Sequence, residues 1–325
     1  MANYVFFHQS DDGWQNLAVD EYFLRNVGED DIILHLYVNA ACVVIGKHQN
    51  PWRECNLTAM EADGVKLVRR ISGGGAVFHD LGNVNFSFIA HKKKYHVPRQ
   101  MDVIIRTVQN LGIPAEFSGR NDILVQGKKF SGNAFCEVRE GRQHHGTLLV
   151  KTDLSKLSQY LSVSDKKIRA KGVASVQARV CNLADFAPGL SVDNVKQALC
   201  ATFAEEYGDY QILELSEEAL KEIQGLYNKH SSWQWRLGRT PRFDMLLEER
   251  FSWGEVQLHL TVKDGVINEA KVYSDSLDVY LPPLIAQAVK GAPLSPLELR
   301  SRVQSAAGAR LELMEVADWL GSQSL

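Results

Sequence analysis

Cysteine is scarce and scattered in this chain: Cys42, Cys55, Cys136, Cys181 and Cys200 are odd in number and contain no C-x-x-C pair. That spacing suggests neither a disulfide framework nor a zinc cluster, and most of the five read as reduced core thiols. Long apolar runs are missing as well, none approaching the ~18 residues of a membrane span. The N-terminus, Met1-Ala2-Asn3-Tyr4-Val5-Phe6-Phe7-His8-Gln9, lacks a basic block followed by an apolar one. A cytoplasmic protein that does not bind membranes is therefore expected. An excess of positive charge is also absent: the formal net charge is -3, which argues against a general nucleic-acid binder. No internal repeat or low-complexity segment occurs.

What is present belongs to an ordinary globular protein of 325 residues, 45% hydrophobic and 23% charged. Single cores usually stop growing near ~250–300 residues, so two domains are expected. Trp14, Leu17, Ala18 and Tyr22 have helical spacing, with Gly28 as a stop. Ile32–Tyr37 and Ala41–Gly46 read as strands close enough to pair in a hairpin, and Met101 to Leu111 reads as a second helix. Short strands follow over Ala115–Ser118, Ile123–Val125, Lys129–Phe135 and Thr147–Val150, then helices over Asp153–Leu161, Val192–Tyr207 and Ser216–His230. Trp233, Trp235 and Trp253 are concentrated in the sequence around Gly238-Arg239-Thr240-Pro241. A hairpin (Val256–Val262, Val266–Ser274) and helices near 282–290, 296–307 and 311–320 make a small second domain. The boundary falls near Phe243–Phe251, dividing the chain into units 1–245 and 246–325. Because strands and helices do not alternate strictly, the fold class is α+β with a mixed, largely antiparallel sheet.

The stretch richest in chemistry is Arg69-Arg70-Ile71-Ser72-Gly73-Gly74-Gly75-Ala76-Val77-Phe78-His79-Asp80. Consecutive glycines let backbone N–H groups turn toward an anion, and the arginines supply positive charge. Val65–Val68 before it and the alternation of Val84, Phe86 and Phe88 after it place the loop between two strands. A phosphate loop and a dinucleotide fingerprint both need a helix at the glycines, so both are excluded. A plain glycine-rich hairpin turn is the alternative, and Arg69, Arg70 and His79 weigh against it.

A second basic stretch runs Gly119-Arg120-Asn121-Asp122-Ile123-Leu124-Val125-Gln126-Gly127-Lys128-Lys129-Phe130-Ser131-Gly132-Asn133-Ala134. If Phe130 points into the core, Lys129 lies on the opposite face, where a site can be. A solvated surface charge is the competing reading for any lysine, and Lys128 is left with it. Ser131-Gly132, Asn121, Asp122 and Gly146-Thr147 favour a site at Lys129. Adjacent His144 and His145 point to opposite faces of a strand, so they cannot share a metal, but one of them can face that site. Lys166 to Val180 is locally basic and either covers a phosphate, docks an acidic partner or is a solvated helical face.

Taken together these residues resemble the lipoate–protein ligases of the biotin and lipoate ligase superfamily. The resemblance is carried by the glycine loop, by Lys129-Phe130-Ser131-Gly132-Asn133-Ala134, by His144-His145-Gly146-Thr147 and by Lys171-Gly172-Val173-Ala174-Ser175-Val176. It extends from Asn16-Leu17-Ala18-Val19-Asp20-Glu21 through Asn50-Pro51-Trp52 to the terminal hairpin. Cys136 departs from it, standing where an arginine is frequent.

The resemblance implies a large N-terminal ligase-like catalytic domain and a small α+β C-terminal accessory domain. It implies that lipoate and Mg-ATP give lipoyl-AMP, whose acyl group then passes to a lysine of a carrier. The carriers implied are apo lipoyl domains of the E2 subunits of 2-oxoacid dehydrogenases and the glycine-cleavage H protein. Lys129 is implied as catalytic; Arg70, Gly75, Ala76, Val77, Phe78 and Lys129 as ATP-binding; Lys129, Ser72, Gly73, Gly74 and His79 as lipoate-binding. No Mg²⁺ ligand is assigned. Two other readings stay open: an acyltransferase that uses a cysteine thiolate and no ATP, with Cys136 as the nearest candidate, and a non-catalytic lipoate- or adenylate-binding module.

Overall fold

The computed structural model describes residues 2–118, 121–161, 180–237, 245–263 and 265–323. Most of the basic segment 166–180, the Gly238–Pro241 stretch, Gly119, Arg120 and the start of the boundary region at Phe243 lie outside the described residues.

In the first part of the chain, β1 (Ala2–Phe7), α1 (Gly13–Asn26), β2 (Asp31–Tyr37) and β3 (Cys42–Ile45) precede two short helices, α2 (Pro51–Glu54) and α3 (Leu57–Ala62). Then come β4 (Lys66–Arg69), β5 (Val77–His79), β6 (Asn83–His91), α4 (Val97–Asn110), β7 (Ala115–Ser118), β8 (Asp122–Val125), β9 (Lys128–Val138) and β10 (Gly141–Leu149). After α5 (Ser155–Tyr160) the chain forms α6 (Val192–Tyr207), β11 (Gln211–Ile212), α7 (Glu217–Ser231) and α8 (Trp233–Arg236). The last part holds β12 (Met245–Phe251), β13 (Gly254–Lys263), β14 (Val266–Ser274), α9 (Leu281–Val289), α10 (Pro296–Ala307) and α11 (Leu311–Gly321). The fold is α+β, and no described helix is long and apolar enough to cross a membrane.

A large sheet is ordered β11-β1-β2-β6-β10-β9-β8-β7, parallel only where β1 meets β11 and β2. The period of two sorts its side chains. Leu34, Leu36, Val84, Phe86, Phe88, Phe130 and Leu148 pack under α4 and α6 in the main core. On the opposite face Ile33 and Ile89 pack with Phe6, Phe23, Leu24 and Ile223, carried by β1, α1 and α7. That second face also carries Tyr37, Asn85 and Ser87, all buried.

The expected hairpin of β2 and β3 does not form. Strand β2 pairs with β1 and β6, whereas β3 is the centre of a separate small sheet, β4-β3-β5. The reason lies in the connection: buried Asn39 bonds to Asn16 and His79, and Ala40 N–H donates to Asp11, turning the chain from one sheet to the other. Trp235 donates to the Arg69 carbonyl, while Trp253 stacks on Phe251 in the last part of the chain. There the expected hairpin gains a third strand, β12, and its sheet packs on α9, α10 and α11 through Leu258, Leu260, Ile285, Val303 and Leu320.

Helices α1 and α7 are locked by a buried charge. Glu21 accepts from Lys229 at 2.7 Å, His230 at 2.8 Å and Arg25 at 3.0 Å. Burial alone would raise the Glu21 pKa, but His230 and Lys229 outweigh it and hold the carboxyl at about 2. A carboxyl depressed in the folded state contributes stability above its unfolded pKa near ~4.3, and that stability is lost as pH falls toward the folded value. Wild-type stability is expected to fall steeply from about pH 5 to about pH 2. Glu21→Gln is expected to cost about 3 kcal/mol at neutral pH and to flatten that acid limb, as read from urea unfolding at stepped pH; an unchanged acid slope would show that Glu21 carries no such linkage.

Candidate active site

A cavity of about 170 Å³ lies between the large sheet and the small one. From the large sheet come Tyr37, Asn85, Lys129, Asn133, His145 and Thr147, and from the small one Val44, Val77 and His79, with Leu17 of α1 and the Gly74–Ala76 loop closing the wall.

The loop is shaped around Arg70. Its buried guanidinium donates to the carbonyls of Val44 at 3.2 Å, Gly73 at 2.6 Å and Gly75 at 2.9 Å, and to Ser72 Oγ at 3.1 Å. Among the described residues no carboxylate pairs with it, and its charge is solvated by these carbonyl dipoles and the Ser72 hydroxyl. Burial lowers its pKa only to about 10, leaving it charged at neutral pH. Gly74 takes a left-handed φ of +92°, and the carbonyl it turns inward lies where a Cβ on Gly46 would be, 2.2 Å away. Arg69, the adjacent cation, points elsewhere and donates to the carbonyls of Gly46, Lys47, Gln49 and Arg236.

Lys129 enters from the other side. Phe130 is buried in the main core, so the alternation of β9 puts Lys129 on the cavity face. Its Nζ contacts Asp122 Oδ1 at 2.6 Å, and an added Cβ on Gly132 would lie 2.9 Å from that nitrogen. Asn121 and Asn133 brace the turn through reciprocal bonds of 3.0 Å from each amide to the other's carbonyl.

Between the cations the wall is polar but neutral. His145 contacts Ser72 Oγ at 2.7 Å, and burial pushes its pKa down to about 4. Its neighbour His144 turns to the core, ringed by Phe86, Phe88 and Phe135, as strand alternation requires. Tyr37 donates to buried Asp20 at 3.2 Å, which Ser87 at 2.9 Å and His35 at 2.8 Å also contact. Burial works against the Asp20 charge, but the contacts from His35 and Ser87 keep its pKa below the ordinary carboxylate value. Cys136 is not among the lining residues: its Sγ contacts Gln143 at 3.1 Å, and burial raises its pKa strongly.

Of the residues singled out in the sequence, Arg70, Gly74, Gly75, Ala76, Val77, His79 and Lys129 line the cavity together. Ser72, Gly73 and Phe78 stand behind the wall. Ser72 braces Arg70 and His145, and Phe78 packs with Tyr160 in a core cluster. Gly73 is pressed against the last part of the chain, where a Cβ would meet Ser276 O at 2.3 Å. Gly74 N–H donates to that same carbonyl, so this amide of the loop is not free for an anion. Sequence reasoning missed Tyr37, Asn39, Asn85 and Leu277. A polar residue interrupting the apolar strand, as Asn85 does, is a signal; for Leu277 no local signal exists. No cluster of metal-ligating side chains occurs among the described residues.

Residues 12–204 match the family model of the lipoyl protein ligase A/B catalytic domain, and residues 240–320 match that of the bacterial lipoate protein ligase C-terminus. The P. falciparum protein LipL1, solved in complex with lipoate, is 28% identical with a TM-score of 0.87, over 99% of this chain and 100% of that one. A bipartite lipoate protein ligase from Thermoplasma acidophilum, studied with its E2 lipoyl domain, is 30% identical with a TM-score of 0.68, over 75% of this chain and 100% of its own. A lipoate-protein ligase A bound with ATP is 28% identical with a TM-score of 0.66, over 73% and 99%.

The contact of Gly73 with Ser276 leads to an expectation. Gly73→Ala should part the loop from residues 274–279 without unfolding the large sheet. Hydrogen exchange at the Gly74 amide is expected to accelerate about tenfold or more, with the far-ultraviolet circular dichroism unchanged. Unchanged protection at Gly74 would show that the contact does not hold the loop.

Proposed function

Because the chain belongs to the lipoyl protein ligase A/B family, we propose that it is an ATP-dependent, AMP-forming lipoate–protein ligase. The observation that carries this reading is a single cavity in which Arg70, lacking an anionic partner among the described residues, and Lys129 both take part.

The chemistry brings two anions together. A lipoate carboxylate oxygen attacks the α-phosphorus of ATP, pyrophosphate leaves, and lipoyl-AMP forms. At an effective dielectric constant of ~20, like charges ~4 Å apart repel by about 4 kcal/mol, which positioned cations must offset. Arg70 is already in place and Lys129 has only a half-exposed carboxylate to give up. In the second step a carrier lysine amine attacks the acyl carbonyl, AMP leaves with the bonding pair, and the amine loses a proton to water. Lys129 is then the donor for the acyl oxygen, and no covalent enzyme intermediate is needed.

Gly75, Ala76, Val77 and Phe78 contact the nucleotide through the backbone in this reading. Gly74 and His79 flank the acyl group, while Ser72 and Gly73 support them from behind. The described lining residues include no carboxylate, so magnesium arriving with the nucleotide would be held mainly by the substrate's own oxygens and water and would offset phosphate charge, and Asp122, which contacts Lys129, would be a nearby carboxylate for it. The carriers are apo lipoyl domains of E2 subunits and the glycine-cleavage H protein; a relative studied together with its E2 lipoyl domain supports this choice. The units are a catalytic one over 1–245 and an accessory one over 246–325. Leu277 of the accessory unit lines the cavity, so that unit lifts away before a carrier lysine enters.

Lys129→Ala is expected to lower lipoate-dependent ATP–pyrophosphate exchange by about 10²- to 10³-fold while the protein stays folded; unimpaired exchange refutes the role. Cys136→Ala is expected to leave ATP-dependent lipoylation of an apo carrier intact by mass spectrometry. ATP-independent acylation that this variant abolishes would favour the thiolate transferase instead.

A further inference from the structure

Two side chains outside the cationic motifs, Asn16 and Asn39, form a hydrogen-bonded chain that ends in the cavity at His79. The Asn16 amide nitrogen is surrounded by oxygens, Ser10 O at 3.1 Å, Val38 O at 3.0 Å and Asn39 Oδ1 at 2.7 Å. Two of these are backbone carbonyls, so this atom must be the NH₂ group. The Asn39 atom facing it is then necessarily the carbonyl oxygen, which turns the Asn39 NH₂ toward His79 Nδ1, 2.9 Å away. An NH₂ can only donate, so Nδ1 is the acceptor and the ring proton sits on Nε2.

His79 lines the cavity with a relative exposure of 5%, and its Nε2 is buried with no hydrogen-bond partner among the described residues. A buried donor in that state is stabilised by a ligand that brings an acceptor. We propose that Asn16 and Asn39 are positioning residues that hold His79 as its Nε2–H tautomer, so that it donates a hydrogen bond to an anionic oxygen of the bound substrate. This rests on the ligase reading, in which that oxygen belongs to the lipoate carboxylate or to a phosphate of ATP. A neutral ring is required for Nδ1 to accept. Burial, together with the nearby Arg70 and His145, pushes the His79 pKa down to about 3, so the ring stays neutral through the physiological range.

The test uses the full-length chain. Nitrogen-15 NMR of labelled histidine is expected to show His79 with a protonated Nε2 and an unprotonated Nδ1, and the Nε2 signal should move on addition of lipoate alone or ATP alone. Whichever addition moves it identifies the oxygen. In Asn39→Asp the carboxylate still accepts from Asn16 but now needs a proton from Nδ1. The tautomer should switch, presenting a lone pair at Nε2 and weakening calorimetric binding of that ligand about tenfold or more. Should that variant fail to fold, Asn39→Ser is expected to give mixed tautomers and weaker binding of the same ligand. A wild-type ring protonated on Nδ1 overturns the proposal, as does a switched tautomer that leaves both affinities within about twofold. Wild-type protein that binds neither lipoate nor ATP overturns the ligase reading and the ligand half of the proposal, whereas the tautomer is scored independently.

Discussion

A guanidinium buried with no carboxylate beside it among the described residues must still be solvated, and the carbonyls of Val44, Gly73 and Gly75, with Ser72 Oγ, take that role for Arg70. The consequence runs in both directions. The carbonyls curl the glycine loop around the charge, and the charge, with no neutralising anion among the described residues, gives one side of the cavity a positive field. Glycines are required because the loop must approach other backbone closely: Gly46 meets the Gly74 carbonyl, and Gly73 meets Ser276. The same glycine-rich turn therefore serves the field, the packing of the small sheet and the seat of the C-terminal part.

Around that charge, strand alternation divides apolar from polar work. Strand β6 is buried along its whole length, yet Val84, Phe86 and Phe88 face the main core while Asn85 and Ser87 face the cavity side. His144 and His145 divide in the same way on β10. Buried polar groups cost free energy unless bonded, and the Asp20, Tyr37 and Ser87 set shows how that cost is met behind the wall. The wall itself presents neutral donors and acceptors between two cations. That suits a reaction in which negative charge arrives with the substrates rather than residing in the protein.

Much of this was legible in the chain itself. The helices over 97–110, 192–207 and 296–307 follow from apolar spacing and their flanking Gly, Ser or Pro residues. Lys129 was separable from Lys128 because Phe130 set the face of the strand. What could not be read was pairing. β2 and β3 have the composition of a hairpin, and Asn39, bonded to Asn16 and His79, together with the Ala40 N–H to Asp11 bond sends the second strand to another sheet. Phe78 reads first as a nucleotide contact through its backbone, with core packing as the alternative for the ring, and its side chain packs on Tyr160.

The sequence by itself determined the residue types and the local periods: a glycine loop between strands, a lysine opposite a core phenylalanine, two histidines on opposite faces. These are properties of neighbours along the chain, where backbone geometry leaves few choices. The tertiary structure alone decided that Arg70 would be caged by carbonyls, that Cys136 would contact Gln143 outside the cavity wall, and that Leu277 would cross from the last part of the chain to close the cavity. Each depends on contacts between segments far apart in sequence, and no local propensity encodes which buried group will meet which partner.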